Sequence, residues 1–402
     1  MKRMKQRYLD PRTEQYRFYI LILSVAVAGL SQGLTLPLLS IMIEKAGHSS
    51  VLNGWNAAAL YIGMFTASFF VEKPLRRYGY KPMILVGIIM VLLASLLIPF
   101  WHNLIWWFVL RFMIGAGDSA LHYASQLWIT STSAEERRGR NISLYGLAYG
   151  SGFSIGPFGV NLMGIHIWLP FLVIALFYIV AFGLVLRLGN DFPEVMKKEE
   201  KMSYRKTFSY GWYALIPAFL YGYMEAVMNG SFPIYALRTG ISEAWVSLIL
   251  FSFAGGALLT QLPLGIWSDR VGRKRVLMTA GAIGAVGFST VPLAGDHVTV
   301  IILIFAITGC SVGSFFSLGL AYLADILPKH MLPSANVLAA MLFSIGSIMG
   351  PGMAGMGIQF IHPDSLFYFL GFVFAGFFLL GFVSKRSYQQ GQQQAENVTS
   401  RS

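Results

Sequence analysis

The feature that most constrains this chain is a short basic segment, Gly265 to Lys274, which lies between two long apolar runs. Turn-forming and charged residues do not face lipid, so the segment predicts an aqueous loop at which two membrane helices reverse direction. A related segment occupies Glu72 to Lys81, and Gly79 and Gly272 are 193 positions apart. The spacing of the two copies predicts an internal repeat.

The composition is that of an integral membrane protein. Hydrophobic residues make up 55% of the 402 residues and charged residues only 12%, whereas soluble domains carry about 25%. The apolar runs reach about 20 residues, enough to cross a bilayer as a helix. The net charge of +12 comes from basic residues in loops, as the positive-inside rule requires, so we expect a lipid bilayer and no nucleic acid as partner. The single cysteine, Cys310, excludes an intramolecular disulfide and a cysteine metal cluster.

We predict an all-α integral membrane protein with twelve transmembrane helices in two pseudo-symmetric six-helix halves. The predicted spans are residues 18–43, 52–72, 83–101, 104–130, 142–165, 168–187, 211–237, 245–267, 276–294, 298–325, 333–359 and 365–384. The predicted units are an N-terminal half at residues 1–187, a cytoplasmic linker at 188–210, a C-terminal half at 211–384 and a disordered cytoplasmic tail at 385–402.

The charge distribution predicts the orientation. With the N-terminus inside, 27 of the 30 Lys and Arg residues fall on cytoplasmic segments, two (Lys45 and Arg238) fall outside, and Arg111 lies within a span. This asymmetry predicts a multi-pass protein of the plasma membrane with both termini in the cytoplasm. The first span is too long for the apolar region of a signal peptide, so we expect it to be retained.

The repeat extends beyond the two loops. Gly63 and Gly256 are 193 positions apart, and the Gly-Pro pairs that begin at Gly156 and Gly350 are 194 apart. A parallel repeat of two six-helix halves is the architecture of a large class of secondary transporters, which bind substrate between the halves near the middle of the membrane.

The motifs resemble those of the major facilitator superfamily, and the resemblance covers nearly the whole chain. Gly265 to Lys274 is similar to the family's G-x-L-x-D-R-x-G-R-K loop, with Trp267 in the Leu position. Arg111 to Gly117 resembles the Arg-x-x-x-Gly-x-Gly pattern of the fourth helix. Gly152 to Pro157 resembles the G-x-x-x-G-P element that is associated with proton-driven exporters. The tract Leu220 to Arg273 is similar to YcaD-like bacterial members.

The first-half loop departs from the family pattern, because Arg76 stands where the family carries its acidic residue. We therefore hypothesise a charge-swapped cytoplasmic latch in which Arg76 or Arg77 faces Asp325, and Asp269 faces Arg138 or Arg140. The alternative is that these charges only satisfy the positive-inside bias. The predicted latch residues are Gly265, Asp269, Arg270, Gly272, Arg273, Arg76, Arg77 and Asp325.

Three charged residues lie deep within predicted spans: Arg111, Asp118 and Glu225. A charge in hydrocarbon is costly, so such residues usually face a cavity or a partner. We predict that Asp118 and Glu225 alternately bind protons, that Arg111 tunes Asp118, and that His122 on the same helical face is a further candidate for proton coupling. The alternative is that Arg111 and Asp118 form a static buried pair and that His122 only packs.

Further polar and aromatic residues are expected to line the substrate cavity. An apolar, aromatic cavity with one or two acids suits lipophilic or cationic compounds and fits poorly with multiply anionic ones. The predicted cavity residues are Gln32, Gln126, Tyr149, Tyr221, Asn229, Gln261 and Asn336. Small residues and prolines in the fifth and eleventh spans predict a dry, closely packed helix seam formed by Gly152, Gly156, Pro157, Gly346, Gly350 and Pro351.

These patterns predict a secondary active transporter that works by alternating access and exports lipophilic or drug-like small molecules in exchange for protons. The alternatives are a proton-coupled importer or facilitator of a small metabolite, a transporter of a lipid-linked substrate, and a sensor that transports nothing. We expect no enzyme activity and no cofactor, since the sequence carries no nucleophile elbow, metal set or phosphate loop. We expect H⁺ as coupling ion and a monomer.

Overall fold

The computed structural model describes residues 11–193, 204–295 and 297–384. The basic start of the chain, the middle of the predicted linker and the predicted tail at 385–402 lie outside these described residues.

Throughout the described ranges the chain is helical and contains no strand. The helices of the first half are α1 (Pro11–Lys45), α2 (Ser50–Ser68), α3 (Glu72–Tyr78), α4 (Tyr80–Leu97), α5 (Leu104–Thr132), α6 (Glu135–Ile155) and α7 (Leu169–Leu186). Those of the second half are α8 (Tyr204–Gly230), α9 (Phe232–Arg238), α10 (Glu243–Val271), α11 (Arg273–Thr290), α12 (Val298–Val312), α13 (Phe315–Ile326), α14 (Leu332–Phe360) and α15 (Ser365–Val383). Short 3₁₀ turns occupy Ile98–Phe100, Gly156–Gly164, Val291–Ala294 and Lys329–Met331.

Nine helical segments of the described chain are long and apolar enough to cross a membrane, or ten if α2 and α3, bent by 56°, form one span. The helices α6 and α8, which the sequence also predicts to span, begin with charged or polar turns that lower their hydropathy. An all-helical integral membrane fold is therefore confirmed, whereas the count of twelve spans stays a prediction.

Three predicted spans are broken rather than continuous. The fifth changes from α-helix to 3₁₀ helix at Gly156, the seventh stops at Gly230 before α9, and the tenth stops at Val312 before α13. Pro157 and Pro233 have no backbone N–H to continue a helical ladder, and Gly313 is a weak helix former. Sequence periodicity alone did not show these breaks.

The two related loops turn on equivalent glycines. Gly79, between α3 and α4, has a φ of 90°, and Gly272, between α10 and α11, has a φ of 102°. Side chains disfavour this region of backbone space, so glycine is required at both turns. The two copies of the loop therefore share a glycine with positive φ at the turn, although their charges differ.

Glycines also allow close helix contacts within each half. A Cβ on Gly152 would lie 2.1 Å from the carbonyl oxygen of Ala26 in α1, and one on Gly346 would lie 2.2 Å from that of Phe219 in α8. Gly156 and Gly350 approach the same two helices, at Leu30 and Tyr223 respectively. The predicted seam is thus divided, because α6 and α14 each pack against the first long helix of their own half.

The prolines of the predicted seam mark contacts between the halves. The hydroxyl of Ser247 in α10 donates to the carbonyl of Pro157 at 2.7 Å. A Cβ on Gly54 in α2 would lie 2.1 Å from the carbonyl oxygen of Pro351 in α14. Gly54 and Ser247 are themselves 193 positions apart, so the interface repeats the internal symmetry. Whether this packing excludes protons stays a prediction.

The buried apolar side chains follow the same division. One cluster extends from Ile20 to Leu188 and takes in only Ala226 from the second half. The other two clusters are drawn entirely from residues 213–377 and 214–339. Each half therefore has its own packed interior, and the space between the halves is left for a cavity.

Candidate functional site

A cavity of about 190 Å³ lies between the halves, among α6, α8, α10 and α13. Of the predicted residues, it is lined by Tyr149, Tyr221, Glu225, Asn229 and Gln261. Its remaining walls are mainly apolar and aromatic and include Phe153, Met224, Met228, Phe253, Leu258 and Phe316. The site therefore combines one carboxylate with a hydrophobic, polarisable surface.

Glu225 is the acid of this cavity. Among the described residues its carboxylate has no hydrogen-bond or ion-pair partner, and only its backbone carbonyl is bonded, by the Asn229 side chain at 2.8 Å. The phenol groups of Tyr61, Tyr149 and Tyr221 lie within electrostatic range of it. An unpaired carboxylate in an apolar cavity can bind either a proton or a cationic ligand.

Asp118 lies behind the cavity wall, fully buried. The amide nitrogen of Gln32 donates to its Oδ2 at 2.8 Å, and the hydroxyl of Tyr178 donates to its Oδ1 at 3.4 Å. The Oε1 of Gln32 accepts a hydrogen bond of 2.8 Å from the hydroxyl of Tyr149, which does line the cavity. Asp118 is thus linked to the cavity through two side chains and does not face it.

Arg111 is buried, and no salt bridge joins it to Asp118 among the described residues. Its Nη2 donates to the carbonyl of Leu36 at 3.2 Å and approaches Oγ of Ser40 at 3.5 Å, while Nη1 has no described partner. The static Arg111–Asp118 pair is therefore not formed, because seven residues along one helix separate the two groups by about 10 Å. A tuning role for Arg111 stays a prediction.

His122 packs beside Tyr145 and Tyr149 of α6. Its Nδ1 shares a hydrogen bond of 2.6 Å with the hydroxyl of Tyr145, and its ring meets that of Tyr149 edge-on at 4.9 Å. Its Nε2 is buried without a described partner. This environment favours a packing role, and proton transfer through His122 stays a prediction.

Three predicted cavity residues lie elsewhere: Gln32 is buried between Asp118 and Tyr149 rather than in the cavity lining. Gln126 in α5 and Asn336 in α14 are both exposed and are absent from the cavity lining. Helical spacing placed Gln126 on the face of Asp118, but that face meets α1 and α7 rather than the cavity. The apolar residues Met224 and Phe316 were not predicted. Met224 directly precedes Glu225, which is the one sequence feature that indicates its position.

The halves are joined by ion pairs at the end of the molecule that carries Lys45 and Arg238. Arg238 binds Glu44 at 2.7 Å, and Lys45 binds Glu243. The amide of Ser50 also donates to the Gln359 side chain at 3.2 Å. We refer to the four charged residues as the outer ion pairs.

At the opposite end, the described ion pairs stay within one half and differ from the hypothesised latch. Arg76 binds Glu72 at 2.8 Å rather than Asp325, because Glu72 lies one helical turn away. Arg273 binds both Asp269 and Asp325 at 2.7 Å, so neither acid faces a cation of the first half. Of the other predicted latch residues, Gly272 forms the turn, while Gly265, Arg270 and Arg77 make no described contact across the halves.

No group of three or more His, Cys, Asp or Glu residues within the described ranges could hold a metal ion. The absence of a cofactor stays a prediction.

The sequence matches the family model of the Major Facilitator Superfamily twice, at residues 21–237 and 214–400. A similar curated protein is the MFS-type transporter YfkF of Bacillus subtilis (strain 168), which is 44% identical over 364 residues, or 89% of this chain and 92% of that protein. The MFS-type transporter YcaD of Escherichia coli is 20% identical over 357 residues, covering 87% of this chain and 89% of that protein.

Two solved structures share the fold. The nucleoside transporter NupG has a TM-score of 0.72 and 12% identity, covering 93% of this chain and 100% of that one. A bacterial homologue of the human lysosomal transporter Spinster, in an inward-facing and unoccupied conformation, has a TM-score of 0.68 and 13% identity, covering 93% and 96%.

Proposed function

The chain belongs to the Major Facilitator Superfamily of membrane transporters, and we propose that it exports lipophilic, cationic or drug-like small molecules in exchange for protons. The observation that carries this proposal is the unpaired carboxylate of Glu225 in an otherwise apolar and aromatic cavity. A cation and a proton would compete for this one group, and such competition is sufficient to couple their movements.

Alternating access is supported by the uneven contacts between the halves. The outer ion pairs join the halves at one end, and the described ion pairs at the other end do not cross between them. On the orientation that the basic loops predict, the joined end faces the outside, so the molecule is in an inward-facing state in the plasma membrane with both termini cytoplasmic. A substrate would enter from the cytoplasm in this state.

The similar structures leave the substrate open. NupG is a nucleoside transporter, but a likeness at 12% identity concerns the fold alone. The methionines and phenylalanines beside Glu225 favour a lipophilic cation over a neutral polar solute. Residues of both halves line the cavity, so one chain supplies both sides of an alternating-access site, and we propose that the monomer is the transporting unit.

The test is proton release from acid-loaded inverted membrane vesicles, followed with a pH-sensitive dye as tetraphenylphosphonium, ethidium and neutral drugs are added. The account predicts compound-dependent alkalinisation of the lumen by the wild type, and its loss in Glu225→Gln. The matched control is Asp364→Asn, which should behave as the wild type does. It removes a carboxylate that lies between α14 and α15, away from the cavity, and that binds His362.

Alkalinisation that persists in Glu225→Gln would contradict the role of this carboxylate. No response from folded wild-type protein would contradict proton-coupled export of these compounds and favour an importer, a facilitator or a transporter of lipid-linked substrates.

A further inference from the structure

We propose that Asp118 is a positioning residue whose proton state sets, through Gln32, whether Tyr149 offers a hydrogen-bond acceptor or a donor to the cavity. This inference rests on the proposed function for its use in transport, because the cavity must bind substrate for the change to matter. The chain of three side chains that carries it is independent of any substrate.

The series of three hydrogen-bonded side chains begins at Asp118, whose carboxylate can only accept hydrogen bonds when it is ionised. The carboxylate of Asp118 accepts from the Gln32 amide nitrogen at 2.8 Å, and an ionised carboxylate fixes the NH₂ end of the amide toward itself. The carbonyl end of Gln32 must then point away, toward Tyr149, whose hydroxyl donates to it at 2.8 Å. The only proton of that hydroxyl is thereby used inside the protein.

With Asp118 ionised, Tyr149 therefore presents only oxygen lone pairs to the cavity. An acceptor at this wall favours ligands that carry N–H donors, such as protonated amines. Glu225 faces the same cavity from α8, so the acceptor and the acid would act on the same cation.

Protonation of Asp118 reverses the direction of both hydrogen bonds, the one between Asp118 and Gln32 and the one between Gln32 and Tyr149. The proton, taken up from bulk water, occupies Oδ2 and makes this atom a donor, which requires a carbonyl oxygen opposite it. Gln32 satisfies that requirement by turning its terminal amide through half a turn, so that its NH₂ group now donates to the Tyr149 oxygen. The hydroxyl proton of Tyr149 is released from Gln32 and points into the cavity as a donor, which disfavours a cation.

No proton passes along this chain. An amide donates and accepts hydrogen bonds but does not carry a proton between its two ends in its stable form, so the proton on Asp118 returns to bulk water from the same oxygen. The chain changes the affinity of the cavity for its ligand without contact between Asp118 and that ligand, which is a coupling between two sites.

The other groups around Asp118 do not substitute for Gln32. Tyr178 from α7 bonds the second carboxylate oxygen at 3.4 Å and does not line the cavity. Tyr145 of α6 and His122 of α5 bond each other at 2.6 Å. Arg111 lies two turns away on α5 and bonds α1. Glu225, Tyr61 and Tyr221 also act on Tyr149 electrostatically, so the measurement is repeated in Glu225→Gln, which removes the one carboxylate among them.

The test is infrared difference spectroscopy of the purified full-length protein during a pH titration. The carboxylic acid C=O stretch of Asp118 is assigned by its loss in Asp118→Asn, and the C–O stretch of the Tyr149 phenol by its loss in Tyr149→Phe. In the wild type, and in a Glu225→Gln background, both bands should change with one shared midpoint.

Gln32→Met keeps the length of the side chain but removes both hydrogen bonds, and it should abolish the shift of the Tyr149 band while the Asp118 band still titrates. The matched control Tyr178→Phe removes the other hydrogen bond to Asp118 and should move the shared midpoint without separating the bands. A Tyr149 band that does not move in the wild type, or that still follows Asp118 in Gln32→Met, overturns the proposal.

If Gln32→Met does not fold, the wild-type titration decides, because two separate midpoints also overturn it. The spectra need no substrate. A shared titration of the two bands without compound-driven proton release would support the link from Asp118 to Tyr149 and contradict proton-coupled export. Compound-driven proton release without a shared titration would support export and contradict the link.

Discussion

Gln32 and Glu225 occupy equivalent positions in the first long helices of the two halves. They are 193 positions apart, like the glycines of the two loops, and each follows by three residues a glycine that meets a carbonyl of a neighbouring helix. A Cβ on Gly29 would lie 2.2 Å from the carbonyl oxygen of Tyr149, and one on Gly222 would lie 2.2 Å from that of Phe343. The repeat thus carries a neutral amide on one side and an acid on the other.

The two equivalent positions differ in the side chains that surround them. Gln32 is covered by Tyr149, whose hydroxyl donates a hydrogen bond to the side-chain carbonyl oxygen of Gln32. Phe343, at the position equivalent to Tyr149, stacks on Tyr221 at 6.1 Å and has no hydroxyl to bond Glu225. The carboxylate therefore remains available to a ligand, which makes its binding properties the first subject of prediction.

Cation affinity should depend on pH through Glu225. The ionised carboxylate attracts a cation and the protonated acid does not, so affinity for tetraphenylphosphonium should rise with pH and then level off above the titration of this group. Competition with one proton gives a change of about tenfold per pH unit below the midpoint. Glu225→Gln should bind about 10- to 100-fold more weakly at high pH and lose most of this slope, keeping only the smaller dependence that arises from Asp118 through Tyr149. Equilibrium dialysis of the purified protein measures both, and an unchanged slope would refute the assignment.

The outer ion pairs should bias the conformational equilibrium. Glu44→Gln removes the more shielded pair, with side chains 13% and 29% exposed, and should raise the outward-open population roughly two- to fivefold, as expected for a partly exposed pair. Spin labels on Leu52→Cys and Trp245→Cys, in a Cys310→Ser background, report the separation of the halves by electron–electron double resonance.

The charge-exchanged variant, Glu44→Arg with Arg238→Glu, is the control and should restore the original distances. The same distance distribution in all variants would show that these ion pairs do not hold the halves together.

Arg273 should stabilise the cytoplasmic loop of the second half because it binds two acids at once. Both carboxylates are about half exposed, so solvent screens them and the loss in Arg273→Gln is about 1 kcal/mol, or a melting temperature lower by about 2 °C. Arg270→Gln removes a neighbouring arginine that has no described partner and should have a smaller effect. Equal melting temperatures for the two variants would argue against the three-residue contact.

Gly152 should not tolerate a methyl group. Its Cβ would overlap the carbonyl oxygen of Ala26, so Gly152→Ala must separate α1 from α6 at a cost of about 1–3 kcal/mol. Gly183→Ala in α7 is the matched control, since a Cβ there meets nothing within 4 Å and alanine is the better helix former. Thermal unfolding in detergent should separate the two, and a Gly152→Ala protein as stable as the control would contradict the close approach.

Much of the fold could be predicted from the sequence, because a bilayer permits few alternatives to apolar helices joined by polar loops. The repeat spacing of 193 or 194 positions also indicated which residues would correspond, as Gly79 and Gly272 do in their positive φ angles. Glu225 and Asn229 could be placed on one helical face from their spacing alone.

The parts that could not be predicted depend on how helices are rotated against each other. Periodicity placed Asp118 and Gln126 on one face of α5, but it could not show that Gln32 and Tyr178 would cover Asp118. Nor could it show that Arg273 would bind both Asp269 and Asp325, and that Arg76 would bind Glu72 instead of Asp325. Such choices follow from the packing of neighbouring helices, which no single segment of sequence contains.

The most direct measurement is proton release on ligand binding by the purified protein in weakly buffered detergent. Tetraphenylphosphonium added near the titration midpoint of Glu225 should acidify the solution by a fraction of a proton for each cation bound, and Glu225→Gln should release markedly less, because only Asp118 can then respond. Binding without proton release by the wild type would contradict the central claim that a cation and a proton compete for this carboxylate.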